Sequence, residues 1–97
     1  MRELHKGSKR NIGVDVLRKM AEAFSIDTAS YEVKDKHGSI VQSGDASFAT
    51  DTRLFFEADT TLEGYLINEI YYPYWRITFQ GMSKVLYEME APFKIIK

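Results

Sequence analysis

The fold is decided by residues 29–43, which read ASYEVKDKHGSIVQS. Ala29, Tyr31 and Val33 alternate with polar residues, and a period of two is typical of a strand with one buried face. A turn follows at residues 35–38, because Gly38 readily takes the positive φ that tight turns need. The chain then returns as a second strand, so the stretch predicts a β-hairpin.

The strand pattern continues towards the end of the chain. Short strands are predicted at 46–50 and 53–58, and Trp75, Ile77 and Phe79 alternate with polar residues in the clearest strand of all. About six strands, with a turn roughly every ten residues, indicate an antiparallel β-sandwich or small barrel. In the last long strand we predict Val85, Tyr87, Met89 and Ala91 on the inward face and Glu88 and Glu90 on the outward face, before Pro92 interrupts the ladder.

An amphipathic helix is predicted before the sandwich, at residues 14–24. Five apolar residues recur there with the 3.6-residue period of one helix face. At roughly 16 Å such a helix would be marginal alone and would need a surface to pack on. We therefore expect a basic arm with this helix at 1–25 and a β-sandwich domain at 26–97. The apolar face would consist of Val14, Leu17, Met20, Ala21 and Phe24.

Residues 60–71 fit two structures. Thr60 and Glu63 have the spacing of a helix capping box, and the apolar residues that follow keep a helical period. Gly64 in the interior weakens the case for a helix. We favour a short helix over a strand here.

Charge is distributed unevenly, although the net charge is only −1. Residues 1–24 hold six basic and three acidic side chains (+3), whereas residues 25–97 hold seven basic and eleven acidic (−4). A basic arm is typical of binding to nucleic acid or to an acidic neighbouring subunit, and a solvated terminus would show the same pattern. The candidate contacts are Arg2, Lys6, Lys9 and Arg10.

Motifs for catalysis or metal binding do not occur. The chain has no cysteine, and His5 and His37 lack the spacing of metal ligands. There is no nucleophile elbow, phosphate loop or dinucleotide fingerprint. No apolar run suits a secretory signal or a membrane span. We expect a soluble, non-enzymatic protein with no metal or cofactor.

The most conspicuous local feature is a cluster of three tyrosines and a tryptophan near residue 73. Trp75 is predicted to fill the core, whereas Tyr72 and Tyr74 share the opposite face with Arg76. Exposed aromatic side chains can contact another subunit, a sugar or an unpaired base. Phe55 also points away from the apolar face of its strand. We predict that Phe55, Tyr72, Tyr74 and Arg76 form an oligomer or ligand surface.

Residues 31–44 fit the pattern Y-x-V-x-D-x-x-G-x-x-V-x-x-G. Together with residues 74–79, Gly81 and residues 85–91, they resemble the opening and closing hairpins of small immunoglobulin-like β-sandwich proteins of tailed phages and prophages. The resemblance implies a structural subunit at the head–tail junction or tail, without catalytic residues, found in the host cytoplasm and the virion.

Our prediction is therefore an assembly subunit that contacts other virion proteins and copies of itself. Two other functions stay open: a stand-alone module that binds a glycan or peptide through its tyrosines, and a DNA-binding protein that uses residues 1–24. Residues 7–24 also resemble the end of a phage-repressor-type helix-turn-helix domain, but the preceding helices, including the recognition helix, have no room before Met1.

Overall fold

The computed structural model describes residues 1–20 and 23–97. These residues form nine strands and one turn of 3₁₀ helix at Val16–Arg18. The strands are β1 (Arg2–His5), β2 (Lys9–Asp15), β3 (Ile26–Lys34), β4 (Ile40–Asp45), β5 (Ser47–Phe48), β6 (Arg53–Asp59), β7 (Ile70–Phe79), β8 (Val85–Met89) and β9 (Phe93–Ile96).

The strands form two sheets. The larger has the order β1-β9-β7-β3-β4, with β8 also paired to β7, and the smaller has the order β2-β6-β5. β3 runs along one side of β7, and β8 and β9 share the other. β1 is parallel to β9, and the other pairs described are antiparallel. The predicted hairpin is confirmed as β3 and β4, with Gly38 at φ 82° in its turn.

Aromatic side chains join the two sheets. Phe56 of β6 stacks on Tyr31 of β3 with ring centroids 4.0 Å apart, and it meets Trp75 of β7 edge-on at 5.5 Å. Val33 and Ile77 are fully buried beside them. Burial of each such side chain stabilises the fold by about 1.5–3 kcal/mol. These contacts therefore contribute to the stability with which the two sheets pack together.

The predicted helix at 14–24 is wrong, and the described residues of the chain are all-β instead of mainly β with α. Ile12, Val14 and Val16 are buried at a period of two, and the first two lie opposite Phe56 and Leu54 of β6. β-branched side chains lose less freedom in a strand than in a helix, and β6 offers them an apolar partner. Residues 21 and 22 of the predicted helix lie outside the described residues.

The short helix favoured within residues 60–71 is also wrong, because residues 60–69 form turns. The buried Thr60 hydroxyl accepts from the Ser8 amide at 2.8 Å and lies 2.7 Å from the Ser8 carbonyl oxygen, so it cannot cap a helix. The Tyr71 hydroxyl accepts from the Leu66 amide at 2.6 Å and donates to the Gly64 carbonyl at 2.8 Å. A tyrosine that closes the loop before its own strand is common in β-sandwiches.

The predicted orientation of β8 is wrong as well. Trp75 pairs with Glu88 and Ile77 with Leu86, so the even-numbered residues of β8 lie on the inner side. Val85, Tyr87, Met89 and Ala91, which were expected inside, are exposed. Register decides this, since a shift of one residue exchanges the two faces of a strand.

Candidate interaction surface

The outer face of the larger sheet carries an aromatic and apolar surface. Residues of β7 alternate between the core and solvent, and the register places the outward residues of β7 beside those of β8. Because the pleat has a period of two, both sets share one face. We call this surface the tyrosine face: Tyr72, Tyr74 and Arg76 of β7, and Val85, Tyr87 and Met89 of β8.

Two stacked rings form the centre of the tyrosine face. The rings of Tyr74 and Tyr87 lie 5.6 Å apart and are nearly parallel, at 16°. They are diagonal neighbours, since Tyr74 is opposite Met89 and Tyr87 is opposite Arg76. Such cross-strand aromatic pairs hold each other in place. The stacking therefore fixes the relative position of the two rings on this surface.

Lys34 of β3 adds a positive charge beside these rings. Its Nζ lies 4.9 Å from the centre of the Tyr74 ring and donates to the Tyr87 hydroxyl at 3.3 Å. The hydrogen bond to Tyr87 raises the pKa of Lys34 above its ordinary value. The ammonium group is therefore charged at neutral pH, and the negative faces of the rings attract it.

Three apolar residues of β8 are exposed to solvent, although apolar side chains gain free energy when they are buried. Val85, Tyr87 and Met89 are 44%, 49% and 48% exposed, and they are alternate residues of one strand. Contiguous exposed apolar side chains rimmed by polar groups mark contact surfaces. Arg76 and Lys34 supply part of that rim.

The inner side of β8 is closed by ion pairs. Lys19 Nζ lies 2.6 Å from Glu88 Oε2 and 3.5 Å from Glu90 Oε1. The hydrogen bond to Glu88, followed by the charge of Glu90, raises the pKa of Lys19 against the opposing effect of its burial. Both carboxylates were predicted to face outward. Their pairing with Lys19 explains why acidic residues can lie on the inner side of a strand.

Phe55 is separated from the other predicted surface residues. It pairs with Gly13 and Ser47 in the smaller sheet and points to that sheet's outer side. There it borders a shallow depression of about 460 Å³ whose polar wall includes Asp15 and Arg53. Asp15 Oδ2 lies 3.7 Å from Arg53 Nε, so the carboxylate is engaged. The structure thus unites Tyr72, Tyr74 and Arg76 and places Phe55 on the opposite side of the sandwich.

The predicted basic contacts lie on β1, β2 and the turn between them. Lys6 Nζ donates to the carbonyl oxygens of Leu62 at 2.9 Å and Tyr65 at 2.6 Å, so this side chain fixes the loop before β7. Arg2, Lys9 and Arg10 are exposed. The sequence predicted an arm, but β1 pairs with β9 and β2 with β6.

Neither histidine lies in a metal-binding arrangement. His5 Nδ1 is 3.1 Å from the Lys97 carbonyl oxygen, and His37 is exposed in the β3–β4 turn. Within residues 1–20 and 23–97, no three side chains of the metal-binding types come together. The same residues include no helix with the length and hydropathy that a bilayer crossing requires.

Comparison of the chain with family models, curated proteins and solved structures found no match. The tyrosine face is therefore defined by geometry alone. Sequence reasoning found its β7 half and missed Val85, Tyr87 and Met89, because three apolar residues at a period of two resemble a buried face. No local signal in the sequence reveals this orientation, because Lys19, which pairs with Glu88 and Glu90, is distant from them in the chain.

Proposed function

We propose that this protein is a non-catalytic assembly subunit that contacts other protein subunits through the tyrosine face. The observation that carries the proposal is the row Val85, Tyr87 and Met89, each nearly half exposed, beside the stacked Tyr74. A fold that needed these residues for its own stability would bury them. Their exposure next to a rigid aromatic pair supports a role in contact.

The chemistry of the tyrosine face suits a protein partner. Tyrosine and arginine are enriched among the residues that dominate binding energy, and interfaces combine an apolar centre with a polar rim. Tyr74 and Tyr87 already hold their positions through stacking and through Lys34. Little side-chain entropy is then lost on binding, which favours affinity.

The setting that we propose is a tailed-phage or prophage particle. It is supported by the resemblance of residues 31–44 and 74–91 to small virion sandwich proteins. Particles of this kind are built from closed, symmetric sets of identical subunits, so the partners would include copies of this chain as well as other virion proteins. The protein would then occur in the host cytoplasm and in the virion.

Self-association provides the test. Sedimentation velocity from micromolar to millimolar protein should show concentration-dependent oligomers. Tyr74→Ser should weaken association by about 1–2 kcal/mol, roughly tenfold, because it removes a central aromatic contact. Phe55→Ser is the matched control on the smaller sheet and should leave association unchanged. A monomer at every concentration, or equal effects of both substitutions, would contradict the proposal.

Two other uses of exposed residues predict different outcomes. A glycan-binding module would give hits on a glycan array that Tyr74→Ser abolishes, without self-association. A DNA-binding protein would use the exposed Arg2, Lys9 and Arg10, and its affinity for duplex DNA would fall steeply with salt. Either result in a monomeric protein would replace the assembly proposal.

A further inference from the structure

One edge of β8 is open. β7 pairs with β8 on one side, and on the other side β1 covers only β9, from Phe93 onward. Of the residues that the structure describes, none pairs with the second edge of Val85–Met89. An open strand edge offers unpaired amide and carbonyl groups to another strand.

The free main-chain groups belong to the residues with exposed side chains. The Glu90 amide donates to the Pro73 carbonyl at 2.9 Å, which fixes the phase of the β7–β8 ladder. Bonding then alternates, so Glu88 and Leu86 bond to β7 in the same way. Val85, Tyr87 and Met89 consequently direct their N–H and C=O groups away from β7. The same three residues present both the open edge and the apolar face.

The other sheet edges are poorly suited to pairing. β5 has two residues, β4 is offset by a register shift opposite Val33 and Lys34, and β1 and β2 carry Arg2, Lys9 and Arg10. Short strands, irregularities and basic side chains are the usual protections of an edge. Within β8 the single charged residue, Glu88, is paired with Lys19 on the inner side.

We propose that β8 pairs with β8 of a second copy, antiparallel and about a two-fold axis at Tyr87. The open window has five residues, between the turn after β7 and the start of β1, so pairing along its full length must centre on its middle residue. Val85 then lies opposite Met89 and Tyr87 opposite itself. This register would form about six main-chain hydrogen bonds, two for each of the three opposed pairs.

The flanking charges favour a second copy over an unrelated strand. In this register the exposed Lys84 of one copy lies opposite Glu90 of the other, at both ends of the contact. Glu88 and Glu90 share the single ammonium group of Lys19, so one carboxylate charge is left for Lys84 of the second copy to balance. Opposite charges at facing positions stabilise a strand pair, and like charges destabilise it. The sequence around β8 is thus complementary to itself when reversed, as an isologous interface requires.

Pairing of this kind extends the tyrosine face. A two-fold axis perpendicular to the sheet keeps both outer faces on one side, so Tyr74 and Tyr87 of the two copies form one row. The inference rests on the proposed function and names its first partner and the contacting strand. Five paired residues make a small interface, so we expect the dimer to dissociate on dilution.

Cysteine cross-linking tests the register directly, because the native chain has no cysteine. Opposed residues of a hydrogen-bonded antiparallel pair have Cα atoms roughly 5.5 Å apart, within the range of about 4.4–6.8 Å that a disulfide spans. Tyr87→Cys should therefore form covalent dimers under mild oxidation. Ile40→Cys is the control, since Ile40 is 55% exposed on the opposite edge of the same sheet. Equal rates for the two variants would overturn the inference.

Paired charges provide a second test that keeps Tyr87. Val85→Lys with Met89→Lys places two ammonium groups opposite each other across the axis and should abolish dimerisation. Val85→Lys with Met89→Glu places opposite charges there and should restore it. Circular dichroism verifies that both double variants are folded. If the two variants dimerise equally, the register is wrong.

These outcomes separate the inference from the function on which it rests. Suppose that the protein associates and Tyr74→Ser weakens association, but Tyr87→Cys cross-links no faster than Ile40→Cys. Assembly through the tyrosine face is then supported, and pairing through β8 is wrong. If the protein remains monomeric at millimolar concentration and does not cross-link, both are wrong.

Discussion

β7 and β8 are neighbouring antiparallel strands that place their apolar residues on opposite sides of one sheet. β7 buries Trp75, Ile77 and Phe79 in the sandwich, whereas β8 exposes the apolar row Val85, Tyr87 and Met89 and turns Glu88 inward. β7 pairs with strands on both of its sides, whereas β8 lies at the edge of the sheet. Lys19 forms an ion pair with Glu88 on the inner side of β8. Position within the sheet, more than hydrophobicity, thus separates the apolar residues that are buried in the core from those that stay exposed.

The largest effect is expected from substituting the core residue of β7. Trp75→Ala removes a side chain that is 1% exposed, and it should lower the free energy of unfolding by about 3–5 kcal/mol. The matched change Tyr87→Ala in β8 should cost only about 1 kcal/mol in the monomer, because it removes a half-exposed ring that stacks on Tyr74. Urea denaturation of dilute protein measures both. Equal losses would remove the distinction between the two strands.

The second largest effect on stability is expected from the hydrogen bonds of Gln42, which connect the two sheets. Gln42 of β4 donates to the Glu57 carbonyl at 2.7 Å, and its Oε1 accepts from the Asp59 amide at 3.1 Å and the Tyr65 hydroxyl at 2.7 Å. Gln42→Leu leaves the buried Tyr65 hydroxyl and the half-buried Asp59 amide without this acceptor, which should cost about 2–3 kcal/mol of unfolding free energy. Ser43→Ala, next to it and exposed, is the control. If Gln42→Leu lowers the unfolding free energy no more than Ser43→Ala does, the hydrogen bonds of Gln42 do not stabilise the fold.

The effects of the inner and outer faces of β7 on stability can be compared by removing one hydroxyl group from each. Tyr71→Phe removes the hydroxyl that bridges Leu66 and Gly64 and should cost about 1–2 kcal/mol, as expected for two hydrogen bonds. Tyr74→Phe removes an outward hydroxyl and should leave the unfolding free energy unchanged. Thermal unfolding followed by circular dichroism gives both values. The reverse order would indicate that the loop before β7 does not depend on Tyr71.

The smallest effect is expected at the inner side of β8. Lys19→Met should cost about 0.5 kcal/mol, as is typical of partly exposed ion pairs. The pKa of Lys19 is raised in the folded protein, so its contribution is complete below the ordinary value of 10.5 and is lost as pH rises through the folded value. The difference between wild type and variant should therefore shrink in alkaline buffer. A difference that is constant across this pH range would exclude the ion pair as its source.

Sequence reasoning succeeded where period and partner agreed. The β3–β4 hairpin, the buried face of β6 and the core position of Trp75 could be predicted, because alternation there coincides with a partner strand that is apolar on the same side. The helix predicted at residues 14–24 is wrong because Val14 fits a helical period as well as a strand period. Only its pairing with β6 decides between the two structures. Tertiary pairing of this kind is not visible in a local window.

Only half of the tyrosine face could be predicted, for a similar reason. Tyr72, Tyr74 and Arg76 follow from the alternation of β7 around Trp75. Val85, Tyr87 and Met89 do not, since their strand carries apolar residues on one side and two carboxylates on the other. Only the long-range ion pairs of Lys19 reveal which side is inward.

In the proposed dimer β8 offers both a face and an edge to a second copy, and residue-resolved amide hydrogen exchange at increasing protein concentration would detect the pairing of that edge residue by residue. We predict that the amides of Val85, Tyr87 and Met89 exchange fast in dilute protein and become protected as concentration rises, whereas those of Leu86 and Glu88 are protected throughout. Exchange of Val85, Tyr87 and Met89 at one rate from dilute to concentrated protein would contradict pairing through β8.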